Sequence, residues 1–140
     1  MPNVVFDASS LIGALLKENS LPERALLLAR VHDTICLSPE VEAEIREVAA
    51  RPRFRKYLTP GRIEIFLDLL TAGAAIMTPI IRVTDCRDAK DNKYLELAAA
   101  SRAEFIIASD DDLLVLDPWR GVRIITPADY VRRFDSGTVR

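Results

Sequence analysis

The sequence predicts an α/β fold, a single domain with a central, mostly parallel sheet of about five strands flanked by helices. Three observations lead there. Short apolar runs alternate with longer stretches in which apolar residues recur at helical spacing. Prolines at 22, 39, 60 and 127 each stand at the start of such a stretch, where the missing amide would have had no intrahelical partner. The chain of 140 residues shows no break in composition, which fits one core.

In chain order, strands are predicted at 3–6, 34–37, 75–77, 104–108 and 122–125, the third being the weakest and Phe105-Ile106-Ile107-Ala108 the strongest. Helices are predicted at 10–17, 22–30, 39–50, 60–72, 91–101, 111–116 and 127–134. The domain is assigned to residues 1–135, and 136–140 to a flexible C-terminal tail.

Composition narrows the function. With 49% hydrophobic and 29% charged residues the chain reads as globular rather than disordered. A net charge of −2 and a pI near 5.5 mean that any polyanion must be gripped locally, not by bulk positive charge. Cys36 and Cys86 are too few and too far apart for a structural zinc site, and two reduced thiols are expected. Met1-Pro2-Asn3 runs straight into Val4-Val5-Phe6 with no signal-peptide pattern, and no segment has the apolar length of a membrane span, so a cytoplasmic protein is expected. A Ser-His-Asp triad would have to use His32, the sole histidine, and no G-x-S-x-G elbow accompanies it.

The acidic residues carry the chemistry. Asp7 directly follows the first predicted strand and Asp110 the fourth, with Ser109 between. Both therefore emerge at the carboxyl ends of strands, where open α/β sheets place their ligand crevice. On the helix at 39–50, Val41, Ile45 and Val48 mark the apolar face, and Glu44 lies nearer to it than Glu40, Glu42 or Glu47. On the helix at 91–101 the buried stripe is Tyr94, Leu95, Ala98 and Ala99, and Asp91 falls near its middle. A first-turn carboxylate also caps free amides, so capping stands beside ligation for Asp91. Acids converging in one crevice repel one another unless a cation neutralises them. Mg2+ or Mn2+, which prefer oxygen ligands, suit that task. Two such ions at a separation of about 4 Å can activate a water and steady the leaving oxygen of a phosphodiester.

The stretches Val4-Val5-Phe6-Asp7-Ala8-Ser9-Ser10-Leu11, Cys86-Arg87-Asp88-Ala89-Lys90-Asp91-Asn92-Lys93-Tyr94-Leu95-Glu96 and Phe105-Ile106-Ile107-Ala108-Ser109-Asp110-Asp111-Asp112-Leu113, in this order and spacing, resemble the PIN-domain ribonucleases. The resemblance is strongest to the branch that includes the VapC-like toxins of toxin–antitoxin pairs. It implies that Asp7, Glu44, Asp91 and Asp110 are the catalytic acids, with metal held by Asp7, Asp91, Asp110 and the additional carboxylate Asp112. It also implies a hydrogen-bonding role within the site for Ser9, for which a helix cap is the alternative. Asp88 projects toward the side of Asp91 one turn earlier and can instead cap the helix, and Asn92 is a supporting residue. An RNA substrate, a homodimer and a cognate antitoxin protein follow by the same resemblance.

Arg46, Arg51, Arg53, Arg55 and Lys56, interleaved with Phe54 and Tyr57, form a candidate RNA-contacting stretch, with Arg46 and Arg51 foremost. The alternative is a solvated helix end. Against the metal-dependent endoribonuclease stands a non-catalytic PIN-like module whose acids bind metal or a partner without turnover. A phosphoryl-transfer enzyme of the haloacid-dehalogenase type would need an aspartate where Ser9 stands.

Overall fold

The computed structural model describes residues 1–135, so the predicted tail at 136–140 lies outside the described residues. The elements are β1 (Asn3–Phe6), α1 (Ala8–Leu16), α2 (Leu21–His32), β2 (Thr34–Leu37), α3 (Pro39–Ala49), α4 (Pro60–Ala72), β3 (Ala75–Ile76), α5 (Asn92–Ser101), β4 (Phe105–Ile107), α6 (Asp111–Leu114), β5 (Arg123–Ile125) and α7 (Pro127–Asp135). Short 3-10 turns occupy Pro52–Phe54 and Ala89–Asp91. The five described strands form one sheet in the order β3-β2-β1-β4-β5, with every pairing parallel.

This order puts β1 at the centre and makes it the switch point. The chain leaves β1 to build β2 and β3 on one side, then returns to lay β4 and β5 on the other. Val4, Val5 and Phe6 pair with Phe105, Ile106 and Ile107, and the ladder extends one step further as the Asp7 amide donates to the Ile107 carbonyl at 3.0 Å. The carboxyl ends of β1 and β4 thus share one rim, as a crevice at a topological switch point requires.

The helix starts follow their caps. Asp7, Ser20, Ser38 and Thr59 accept from backbone amides at the heads of α1, α2, α3 and α4. Pro22, Pro39 and Pro60 occupy first-turn positions as predicted. α1 begins at Ala8 rather than at residue 10, because the Asp7 carboxylate satisfies the first-turn amide of Ser10. α5 starts at Asn92, with Asp91 drawn into the 3-10 turn before it. The third strand shrinks to Ala75–Ile76, which pairs only with β2.

The core is built from Phe6, Leu11, Ile45, Leu67, Leu95, Leu97, Ile106, Ile107, Leu113 and Tyr130, all essentially inaccessible. α5 packs against β1, β2 and β4, while α1 lies against α2 and α3, and α2 against α7. Cys36 and Cys86 are free, buried thiols. His32 is exposed and stacks on Phe134 at 4.9 Å. No helix among the described residues is long and apolar enough to cross a membrane.

Candidate metal centre

Asp7 ties the rim together. Its side chain is buried, with Oδ1 accepting from the Ser10 amide at 2.8 Å and Oδ2 from the amides of Ser109 at 3.0 Å and Asp110 at 3.4 Å. Burial pushes its carboxyl above the usual range, opposed by these hydrogen bonds. One carboxylate therefore caps α1 and fixes the turn that leaves β4.

That turn presents Asp110, which caps α6 by accepting from the Asp112 amide at 2.9 Å. From the other side, Asp88 accepts from the Lys90 amide at 3.1 Å and so caps the turn that ends in Asp91. Asn92, also buried, accepts from the Cys86 amide at 2.9 Å and anchors the loop carrying Asp88. The result is a quartet: Asp88, Asp91, Asp110 and Asp112 each offer a carboxylate oxygen, and these oxygens lie within 4.8 Å of one another. Arg87 reaches Asp112 at 2.8 Å from the outer side.

Asp91 is the member under most stress. It is 6% exposed, and its Oδ2 has no hydrogen-bond partner. Burial first, then proton sharing with Asp110 and the charges of Asp110, Asp88 and Glu44, push its pKa up to about 7. A buried carboxylate oxygen without a donor is costly unless a cation meets it. Every donor in the quartet is a hard carboxylate oxygen, the ligand type of Mg2+, Mn2+ and Ca2+. The residues fit a hard divalent ion.

Glu44 reaches the same crevice from α3 but stands apart from the quartet. Its Oε1 accepts from Lys93 Nζ at 2.9 Å and from the Tyr94 hydroxyl. That hydroxyl also accepts from the Ala8 amide at 3.0 Å, while burial and Glu44 hold it protonated. Ser9, exposed, and Arg51 line the crevice with Asp7, Glu44, Asp91 and Asp110. Its rim also takes Arg53, whose guanidinium lies 4.6 Å over the Phe54 ring, and Lys90.

Arg46 is not brought to this crevice. It pairs with Glu64 and, at 3.6 Å, with Glu42, because two residues on from Glu44 a helix has turned to another face. The serine hydrogen-bonded within the rim is Ser10, whose Oγ meets Ser109 Oγ at 2.9 Å. Ser10, Lys93 and Tyr94 were not picked out from the sequence as site residues. The run Asp91-Asn92-Lys93-Tyr94 carried a signal only in that an acid and an aromatic shared one helical face.

A family model described as PIN domain matches residues 3–112, which include Asp7, Glu44 and all four acids of the quartet. The chain belongs to the PIN-domain family. PIN domains are in general metal-dependent nucleases, and this PIN domain carries the acidic cluster such chemistry requires. It is also 30% identical to an uncharacterized protein of Methanocaldococcus jannaschii, over 95% of this chain and 92% of that one.

Proposed function

We propose that this PIN domain is a Mg2+- or Mn2+-dependent endoribonuclease that hydrolyses RNA phosphodiester bonds, acting in the cytoplasm as the toxin of a toxin–antitoxin pair. The observation that carries the nuclease reading is the buried, unpartnered Asp91 Oδ2 among three further carboxylates. RNA as substrate and the toxin role rest on the likeness to VapC-like ribonucleases in the three stretches around Asp7, Asp91 and Asp110.

Asp88, Asp91, Asp110 and Asp112 would hold the ion. A divalent ion there supplies Lewis-acid stabilisation of phosphoryl oxygens and eases deprotonation of the attacking water. Asp7 keeps the turn at Ser109–Asp110 in register, so that Asp110 faces Asp91. Arg51 and Arg53 lie where a polyanionic strand entering the crevice would place phosphates. The half-buried Phe54 and the exposed Tyr57 offer rings for unpaired bases.

A homodimer and an antitoxin partner belong to the same proposal. Leu27 and Val31 on α2 and Ile65 and Leu69 on α4 are exposed apolar pairs, each one turn apart. Leu27 and Leu69 line a groove between α1, α2 and α4 that suits such contacts.

The test is a cleavage assay on single-stranded RNA, with single-stranded DNA of the same sequence beside it. It compares the purified protein in Mn2+, Mg2+ or EDTA with the Asp110→Asn variant. RNA is cut only with a divalent ion, and the variant loses at least about 100-fold in rate. Equal cleavage in EDTA, or by the pure variant, would overturn the proposal.

A further inference from the structure

The acids of the crevice fall into two groups with different partners. The quartet faces inward around the unpartnered Asp91 Oδ2. Glu44 is already matched: Lys93 Nζ stands 2.9 Å from its Oε1, and both side chains are only 17% exposed. Lys17, Lys56 and Lys90 are exposed, so Lys93 is the lysine that the fold withdraws from water. Tyr94 donates to the same Oε1 and is itself fixed by the Ala8 amide and by a ring that is 1% exposed. Glu44 is thus held from two adjacent positions of α5, one of which carries a full positive charge. A hydrogen-bonded ion pair removed from solvent is not given up readily, because separating it leaves both charges poorly solvated.

We propose that Lys93 is the resident second cation of this site. One divalent ion enters the quartet, while the Lys93 ammonium takes the place beside Glu44 that a second ion would otherwise occupy. Lys93 is then a positioning residue that sets metal stoichiometry through Glu44. The inference rests on the metal-centre reading above and adds to it the number of ions and the reason for that number.

The test is Mn2+ binding to the full chain, followed by electron paramagnetic resonance and calorimetry, for the wild type and four variants. Wild type binds one Mn2+, and Lys93→Arg, which keeps the charge, does the same. Lys93→Met frees Glu44 and binds a second Mn2+. Glu44→Gln leaves the affinity for the first ion within about twofold, whereas Asp91→Asn weakens it at least about tenfold, the effect expected of a ligand.

The inference is overturned if the wild type binds two ions of similar affinity, or if Lys93→Met still binds one. Should Lys93→Met fail to fold, Glu44→Gln decides: a tenfold loss of first-ion affinity makes Glu44 a ligand and ends the proposal. If Asp91→Asn binds Mn2+ as well as the wild type does, the metal-centre reading itself fails and this inference falls with it. A lysine that served only to stabilise α3 against α5 would lower the melting temperature on mutation without adding a bound ion.

Discussion

Replacing Asp91 by Asn should stabilise the ion-free protein at neutral and alkaline pH, against the usual outcome for a buried polar substitution. The Asp91 carboxyl has its pKa pushed up to about 7 in the folded protein, from an ordinary value of 3.8. The native state therefore binds its proton more tightly than the unfolded chain does. Stability falls as pH rises between these two values, is unaffected by this group well below 4, and carries the full penalty above 7. Taken at face value the shift corresponds to roughly 4 kcal/mol. Proton sharing with Asp110 and partial screening by water bring the expected penalty to about 1–2 kcal/mol. Asn keeps the shape and cannot ionise, so in EDTA at pH 8 the variant should resist urea better by about that amount, and the advantage should vanish near pH 4. Adding Mn2+ to about one hundred times its Kd should reverse the order, raising wild-type stability by about 2.7 kcal/mol and the variant's far less. Urea titrations followed by circular dichroism at the two pH values, with and without Mn2+, read all of this. A variant destabilised equally at both pH values, or stabilised by Mn2+ as much as the wild type, would refute the account.

Two further variants separate architecture from chemistry. Asp7→Asn should behave oppositely to Asp91→Asn, because an amide nitrogen would face backbone amides that now donate to Asp7. A loss of about 1–3 kcal/mol is expected by calorimetry near pH 5. It narrows toward pH 8, because ionisation of the buried Asp7 costs the wild type stability while Asn does not titrate. An unchanged melting temperature at pH 5 would contradict the hydrogen-bond role. Arg51→Ala combined with Arg53→Ala should weaken single-stranded RNA binding measured in EDTA and flatten its salt dependence by up to about 1.4 in log–log slope, given about 0.7 per phosphate contact. An unchanged slope would move the RNA path elsewhere.

The sequence was most legible where local chemistry and topology coincide. Val4-Val5-Phe6 and Phe105-Ile106-Ile107 are continuous apolar runs because both faces of a central parallel strand are covered. An acid placed right after such a run must lie at the rim. Asp91 was found through its angle on the α5 wheel, and it is buried even though the helix begins one residue later. Glu44 was chosen over its neighbours by the same argument, and the structure gives it inward partners. What stayed hidden depends on contacts between distant segments. Arg46 belongs by sequence to the candidate RNA-contacting stretch, whereas its partner Glu64 comes from α4 and holds it on another face. Lys93 looks like a solvated helix lysine until α3 is docked on α5. Asp88 sits in a loop and Asp112, named only through the family resemblance, in the four-residue α6, where periodicity carries no information, so their convergence needed the folded loop anchored by Asn92.

The Asp7 carboxylate spans 102 residues of sequence to reach the Ser109 amide. During synthesis, its burial partners at the end of β4 emerge long after Asp7 itself has left the ribosome. Until then the rim has no Asp110 to face Asp91, and the carboxylates of the quartet cannot gather. The acidic cluster thus depends on a strand end far from it in sequence and is assembled late. A nascent or truncated copy lacking β4 would carry no gathered cluster of acids, so the site comes into being only with the fold that holds it.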